Sequence, residues 1–384
     1  MAREFGDADG GHDQRGRGAW RRGRGAWSLA AALLTVNAGC SGYRPVPQFD
    51  PGEQQTARAV EGTPLTRLWR VRPLRGPTAP VARDETNIYL GGADRRVIAV
   101  DLASGKTRWA HRVAGPLLGG VIQRGGAVYA ATDRPDGKVH AFDVRSGNEL
   151  WSTGTGNVEA PLALAEDRLL VLNRRGQMLA LDLGSGKVQW RRRLPSQRLA
   201  PQLLTSGLAL VTSHDSLYLV SPADGSIARR RRAPGAVTAP WVPFNDLLLA
   251  GTGDSLVVAI DPADLTTRWT LRLDAPVLAA PVLRGDTILA LTQLGTLYRI
   301  LPGAVPAAER LDSGTWAATG APASVGPWIL AGGSDGMLRA LDPTTGAEAW
   351  RTRISRPVEL APLPFGDSTF LVLGGAGDLH WMRR

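Results

Sequence analysis

The sequence predicts an all-β chain folded as an eight-bladed β-propeller of four-stranded antiparallel blades, and three observations predict it. A phrase A-x-D-x-x-x-G-x-x-x-W returns as IAVDLASGKTRW over 98–109, HAFDVRSGNELW over 140–151 and LALDLGSGKVQW over 179–190. Its Asp stands at Asp101, Asp143, Asp182, Asp261 and Asp342, with Ser221, Leu301 and Arg383 in the same place elsewhere, so eight copies recur 39 to 42 residues apart. A second marker, Ala-Pro at 79–80, 160–161, 200–201, 239–240, 280–281, 321–322 and 361–362, keeps that register. Four short alternating segments per copy of about 40 residues is the arithmetic of a propeller blade.

Residues 1–39 precede the repeats and read as a signal peptide. Arg15, Arg17, Arg21, Arg22 and Arg24 lead into the apolar run Ala26–Val36, and small Ala38 and Gly39 come before Cys40. That layout marks a segment for export, and the run is too short to remain as a membrane span. Ala-Gly-Cys resembles the lipobox of bacterial lipoproteins, with Asn37 where a Leu is usual, and implies lipidation of Cys40. Ser41 after the cysteine, by resemblance to Gram-negative sorting, points to the periplasmic face of the outer membrane. Cleavage after Ala38 is the alternative, leaving a soluble periplasmic protein. Cys40 is the single cysteine, which excludes an intramolecular disulfide and a cysteine-built zinc site.

Residues 40–64, rich in Pro, Gly and Gln without alternation, read as a flexible tether, and 65–384 as the propeller. The first repeat-like piece, TRLWRVRP, carries Trp69 but no three strands before it; the last, APLPFGDSTFLVLGGAGDLHWMRR, supplies three strands and stops. Residues 65–72 are therefore expected to complete the last blade and close the ring, removing an open seam.

Inside a full unit the first copy divides as PVAR, NIYLGGA, RVIAVD and TRWAHRV, with turn residues between. In the recurring phrase, Ala is expected to end the third strand on its buried side. Asp accepts turn N–H groups, Gly supplies a positive φ, and Trp begins the fourth strand. Trp69, Trp109, Trp151, Trp190, Trp269 and Trp350 are read as structural blade anchors wedged between neighbours. Arg229 and Glu309 replace Trp in units four and six, which are expected to be looser or to meet something else.

No catalytic set emerges. His12, His111, His140, His214 and His380 are scattered away from metal-ligand spacing, and the Gly-rich GGADRR and GGSDG have no helix behind them to cradle phosphate. No catalytic residue, metal or cofactor is assigned. The formal charge of +10 favours acidic partners. Arg95, Arg96, Arg174, Arg175, Arg191, Arg192, Arg193, Arg198 and Arg229 to Arg232 are expected on one rim, as a docking face or as a guard against edge pairing. Nucleic acid is excluded as partner: no aromatic residues interleave with the Arg runs, and the export signal denies access.

The phrase, the Ala-Pro marker, the count of eight and the signal ending at Cys40 together resemble the pyrroloquinoline-quinone-type propeller repeat family over residues 65–384, nearest to its BamB-like outer-membrane assembly lipoproteins. That resemblance implies a non-catalytic envelope scaffold, monomeric and lipid-anchored, that binds a BamA-like barrel assembly protein. In that branch the partner meets the links after blades three and four. These are RRRLPSQRLAP and RRRRAPGAVTAP here, so Arg193, Leu194, Arg198, Leu199, Arg230, Arg231 and Arg232 become candidate partner-binding residues. The later link has no acidic residue, unlike the branch pattern. The dehydrogenase branch holds a quinone and calcium with a vicinal disulfide and long insertions, which this chain lacks. A quinone-dependent oxidoreductase, or an envelope sensor or polysaccharide-binding propeller, are the alternatives.

Overall fold

A computed structural model describes residues 58–194, 199–213, 215–303, 305–311, 313–354, 357–358, 360–366 and 368–384. The signal peptide, Cys40, most of the tether, Arg198 and His214 lie outside them. The described residues form eight antiparallel sheets and no helix, and consecutive sheets are consecutive copies of the repeat. This is the expected eight-bladed propeller.

Blade 1 is typical. Its strands are Pro77–Arg83, Asn87–Gly92, Arg96–Asp101 and Thr107–Arg112, hydrogen-bonded in that order. The two middle strands are buried throughout except for their end residues Arg96 and Asp101, because blades press on both faces; their sequences are accordingly near-continuous apolar runs. First strands of adjacent blades touch one another, so they lie innermost, and fourth strands lie outermost with one free edge.

The ring closes as expected. Thr66–Val71 pairs antiparallel with Leu379–Arg383, placing Trp69 opposite Trp381 and Val71 opposite Leu379. The two indoles stack with centroids 6.0 Å apart, and Arg70 and Arg72 pair with Asp378, itself 2% exposed, at 3.0 and 2.9 Å. Trp69, Leu371, Leu373 and Leu379 from this side pack with Ile88, Leu90, Ile98 and Val100 of blade 1, which makes the closing seam as apolar as any other. Arg58–Ala59, from the stretch read as tether, adds a fifth strand outside Thr66–Val71.

Each wedge has a common geometry. Trp109, Trp151, Trp190, Trp269 and Trp350 stand opposite Ala99, Ala141, Ala180, Ala259 and Ala340, and a register shift beside each pair turns the ring outward from the sheet. The third strand runs on past that Ala to the marker Asp in blades 1 to 3, and Trp is the third residue of the fourth strand rather than its first. The indole N–H of Trp69, Trp109, Trp151 and Trp190 donates to the carbonyl of Leu102, Val144, Leu183 and Pro222, in each case just after the marker of the next blade. The turn Gly then lies flat on that ring: a Cβ on Gly105, Gly147, Gly186 or Gly225 would come within 2.9, 2.6, 2.3 or 2.6 Å of the preceding blade's Trp. Positive φ is thus only half of why Gly recurs there.

Blade 2 lacks Ala-Pro for a related reason. Gly120, with φ 64°, sits on the Ala79–Pro80 backbone, and a Cβ there would meet the Pro80 carbonyl oxygen at 2.2 Å.

Candidate functional site

Blades 3 and 4 carry the residues singled out from the sequence. The outer strand of blade 3, Val188–Arg193, exposes Arg191, Arg192 and Arg193; that of blade 4, Ile227–Arg232, exposes all six residues. These arginines fill the final three and final four residues of the two outermost strands, the end at which Arg193 pairs with Gln177 beside the turn that holds Arg174 and Arg175, so the charge forms a belt on the outer edge toward the rim expected. Arg95 and Arg96 belong to blade 1, and Arg174 is held by Asp133 and Glu159 at 3.0 Å each.

The link after blade 3 behaves differently. Leu194 is 3% exposed, packed with Met178, Tyr218 and Val220 between blades 3 and 4, and its N–H donates to the Gly176 carbonyl at 2.8 Å. It anchors the link from below. Leu199 is half-buried, and Leu203 remains 40% exposed. Together with Ala163, Leu164, Pro240 and Trp241 they line an apolar pocket of about 410 Å³ beside the first strands of blades 3, 4 and 5. Trp241, 4% exposed, forms part of one wall; its indole N–H donates to the Thr212 hydroxyl at 2.9 Å and its ring packs with Leu217, Leu219 and Leu265 in the core between blades 4 and 5. Leu203 and Trp241 were not picked out from the sequence, because the pocket forms only when three consecutive blade starts converge.

The belt and the pocket are therefore separate places. Leu199 belongs to the pocket, whereas Arg230, Arg231 and Arg232 belong to the outer edge; Arg193 ends the blade 3 strand immediately before buried Leu194.

Chemistry at buried polar groups is structural. His140 Nδ1 lies 2.9 Å from a Glu149 carboxylate oxygen in blade 2; burial holds the His140 pKa below its ordinary value against the pull of that carboxylate. Marker carboxylates Asp143 and Asp182 accept turn N–H and Ser hydroxyl bonds, which hold their pKa values down. For a quinone held by calcium the fit is poor: among the described residues no three of His, Cys, Asp or Glu converge. The inner side of blade 2 is also packed backbone on backbone, Gly120 against Ala79–Pro80 of blade 1 and Gly119 against Glu159–Ala160 at the start of blade 3.

Similarity to known proteins follows the same lines. The family model described as outer membrane protein assembly factor BamB matches residues 53–198, 135–239 and 213–302. An outer membrane protein assembly factor BamB of Nitrosomonas eutropha is 30% identical over 131 residues, 33% of this chain and 31% of that protein. The quinoprotein alcohol dehydrogenase PedH of Pseudomonas putida is 30% identical over 115 residues, 26% of this chain and 19% of that enzyme. The match thus spans less than a third of either relative. Among solved structures, BamB from Moraxella catarrhalis superposes with a TM-score of 0.70 at 16% identity, covering 83% of this chain and all of that one. A europium-containing methanol dehydrogenase reaches 0.59 at 11% identity, covering 83% of this chain and 93% of that one. Both structural likenesses establish the fold alone. With the family model matched from residue 53 to residue 302, well over half of its length, the chain belongs to the BamB family of proteins built on pyrroloquinoline-quinone-like repeats.

Proposed function

We propose that this protein is an exported scaffold, lipidated at Cys40 and held at the periplasmic face of the outer membrane. There it supports outer-membrane protein assembly by binding a BamA-like barrel assembly protein, and it is not an enzyme. The observation that carries the reading is the apolar pocket of about 410 Å³ at the starts of blades 3 to 5, where Leu199 and Leu203 stand beside Trp241. A concave apolar surface with exposed aliphatic rims is the kind of place where a partner's side chain is buried and most of the binding energy is concentrated. Membership of the BamB family supports the choice of partner, and the donor chemistry of the described residues supports a binding role over a calcium-held quinone.

The test is affinity purification of the tagged full chain from membranes, beside the variant Leu199→Asp/Leu203→Asp. Burying a carboxylate against Trp241 without a partner is costly, so loss of a co-purifying barrel assembly protein with the fold intact is expected. Equal recovery from parent and variant, or stoichiometric uptake of pyrroloquinoline quinone with calcium and alcohol oxidation, overturns the reading. Mass spectrometry of the same material checks for a diacylglyceryl group on Cys40.

A further inference from the structure

The outer strand of blade 4 differs from its counterparts in a way that solubility does not require. Outer strands of blades 1, 5 and 7 bury a Trp, whereas Ile227–Arg232 reads IARRRR and buries nothing. In blades 1 and 5 the strand's first Arg is neutralised by the marker Asp seven positions earlier, as Arg108 by Asp101 and Arg268 by Asp261. Blade 4 has Ser221 for the marker and Ala228 seven positions on, so its arginines are displaced beyond that pairing. Among the described residues, none of Arg229 to Arg232, nor Arg191 to Arg193 on the outer strand of blade 3, forms an ion pair with a carboxylate within 4 Å. Their contacts are neutral. Arg230 reaches the Ser216 hydroxyl at 3.3 Å and covers the Tyr218 ring at 5.5 Å, Arg231 reaches the Asp264 carbonyl at 3.3 Å, and Arg192 the Gly225 carbonyl at 2.6 Å. One or two charges suffice to discourage edge pairing; seven on the outer strands of neighbouring blades, offset only in part by Asp215 near Arg230 and Asp264 near Arg229, leave a positive excess that invites a polyanion.

The backbone of this strand is available as well. Ala233 N–H donates inward to the Asp215 carbonyl at 2.9 Å, and the direction alternates along a strand, so Arg230 and Arg232 turn their N–H groups outward. The strand pairs with Ser216–Val220 on one side only. Blade 8 shows that such an edge accepts another strand, because Arg58–Ala59 adds there in register with Arg67 and Thr66.

We propose that the outer edge of blade 4 captures an acidic, extended segment of a partner protein as a fifth strand. Backbone pairing runs along Arg230 and Arg232, while carboxylates alternate between Arg229 and Arg231 on one face and Arg230 and Arg232 on the other. The blade 3 arginines extend the positive field over residues flanking that segment. An anionic lipid surface would use the same charges but leave the outward N–H and carbonyl groups unpaired, which favours the peptide. This site is independent of the pocket lined by Leu199.

The experiment is fluorescence anisotropy of a labelled eight-residue peptide alternating Glu and Thr, titrated with the full chain at low salt. Binding is expected to weaken at least tenfold for Arg229→Glu/Arg230→Glu/Arg231→Glu/Arg232→Glu, and at least tenfold for the same peptide N-methylated on alternate residues. The methylated arm needs no altered protein, so it decides the matter even if the variant misfolds. Vesicles of phosphatidylglycerol and phosphatidylethanolamine are expected not to displace the peptide. Equal binding of the methylated peptide overturns strand addition; failure of the parent peptide to bind, or its displacement by the vesicles, overturns the choice of partner.

Discussion

At the scale of the residue, a single Gly–Trp contact shows how the repeated phrase builds the ring. Gly147 carries φ 70°, and its missing Cβ is the space occupied by the Trp109 ring 2.6 Å away. Gly147→Ala meets both objections at once, so it is expected to cost about 2–3 kcal/mol, near the cost of overpacking plus that of a forbidden φ. Urea unfolding would show the loss as a lower midpoint at unchanged slope; a shift under 0.5 kcal/mol would mean that the ring yields. The need for positive φ was legible in the sequence, but the overlying Trp was not, since the pair is separated by 38 positions and joined only by the stacking of blades. Leu194 teaches the converse: its place in a link reads as exposed, yet its side chain is core.

His380 is the residue whose environment sets a pH dependence. It is buried opposite Arg70 with neither ring nitrogen hydrogen-bonded, and burial, aided by Arg70 and Arg67 and opposed by Asp378, lowers its pKa from 6.5 to about 4. Between those values the unfolded chain binds a proton that the folded chain refuses, so stability falls as pH drops from 6.5 to 4. The loss approaches about 3 kcal/mol at the acid end. Burial would raise the pKa of Asp378, but hydrogen bonds from Arg72 and Arg70 prevail and keep it below 3.8; its own contribution is therefore lost only under the His380 window. His380→Leu removes the unpartnered nitrogens and is expected to make the profile from pH 6.5 to 4 shallower, leaving the slope that the lowered pKa values of His140 and His111 supply, measured by urea unfolding at several pH values. An unchanged slope would place the proton elsewhere.

At the scale of the element, units four and six depart from the phrase, and the structure shows two different repairs. Blade 6 replaces the Ala–Trp pair by Arg299 and Glu309, joined at 2.8 Å, and Arg299 reaches the Thr344 carbonyl of blade 7 at 2.5 Å, doing with a guanidinium what an indole N–H does elsewhere. Its two outer strands pair without the register shift seen in the other blades, because no ring must be turned out. Blade 4 keeps the shift but has Arg229, and the following turn has Leu265 in place of Gly, with φ 61° and 1% exposed. Leu265 packs with Leu217, Leu219 and Trp241 between blades 4 and 5, so the apolar filling comes from the turn instead of the strand. The two departures thus compensate each other. Arg229→Trp alone should clash with Leu265, and Leu265→Gly alone should open a cavity costing about 2–5 kcal/mol. The double variant restores the common wedge and is expected to recover at least ~1 kcal/mol relative to the sum of the singles in a double-mutant cycle. Additive losses would deny that these positions meet. From the sequence the departures were visible as a missing Trp and a missing Gly; their connection was not, because it crosses a blade boundary.

At the scale of the whole molecule, the fold was the most legible feature, since two markers at one period counted the blades and the incomplete ends at Trp69 and Trp381 announced their own pairing. The binding surfaces were only partly legible. Arginine runs were visible, but whether they lay on a face or along an edge depended on strand order, and the pocket beside Trp241 required three blades to be set side by side. Everything placed on blades 3 to 5 presumes a shut ring, because a ring open at blade 8 would let neighbouring blades shift against one another. Closure relies on Thr66–Val71 and on Trp69, 3% exposed, whose loss is expected to cost as much as a core aromatic, about 3–5 kcal/mol.

Amide hydrogen exchange along Thr66–Val71, compared with Leu379–Arg383, tests that closure most directly. The predicted result is equal protection of the paired amides in the two strands, both exchanging only through global unfolding. Exchange of Thr66–Val71 a hundredfold or more faster than its partner strand would show a seam that opens on its own, and would contradict a ring held by its two ends.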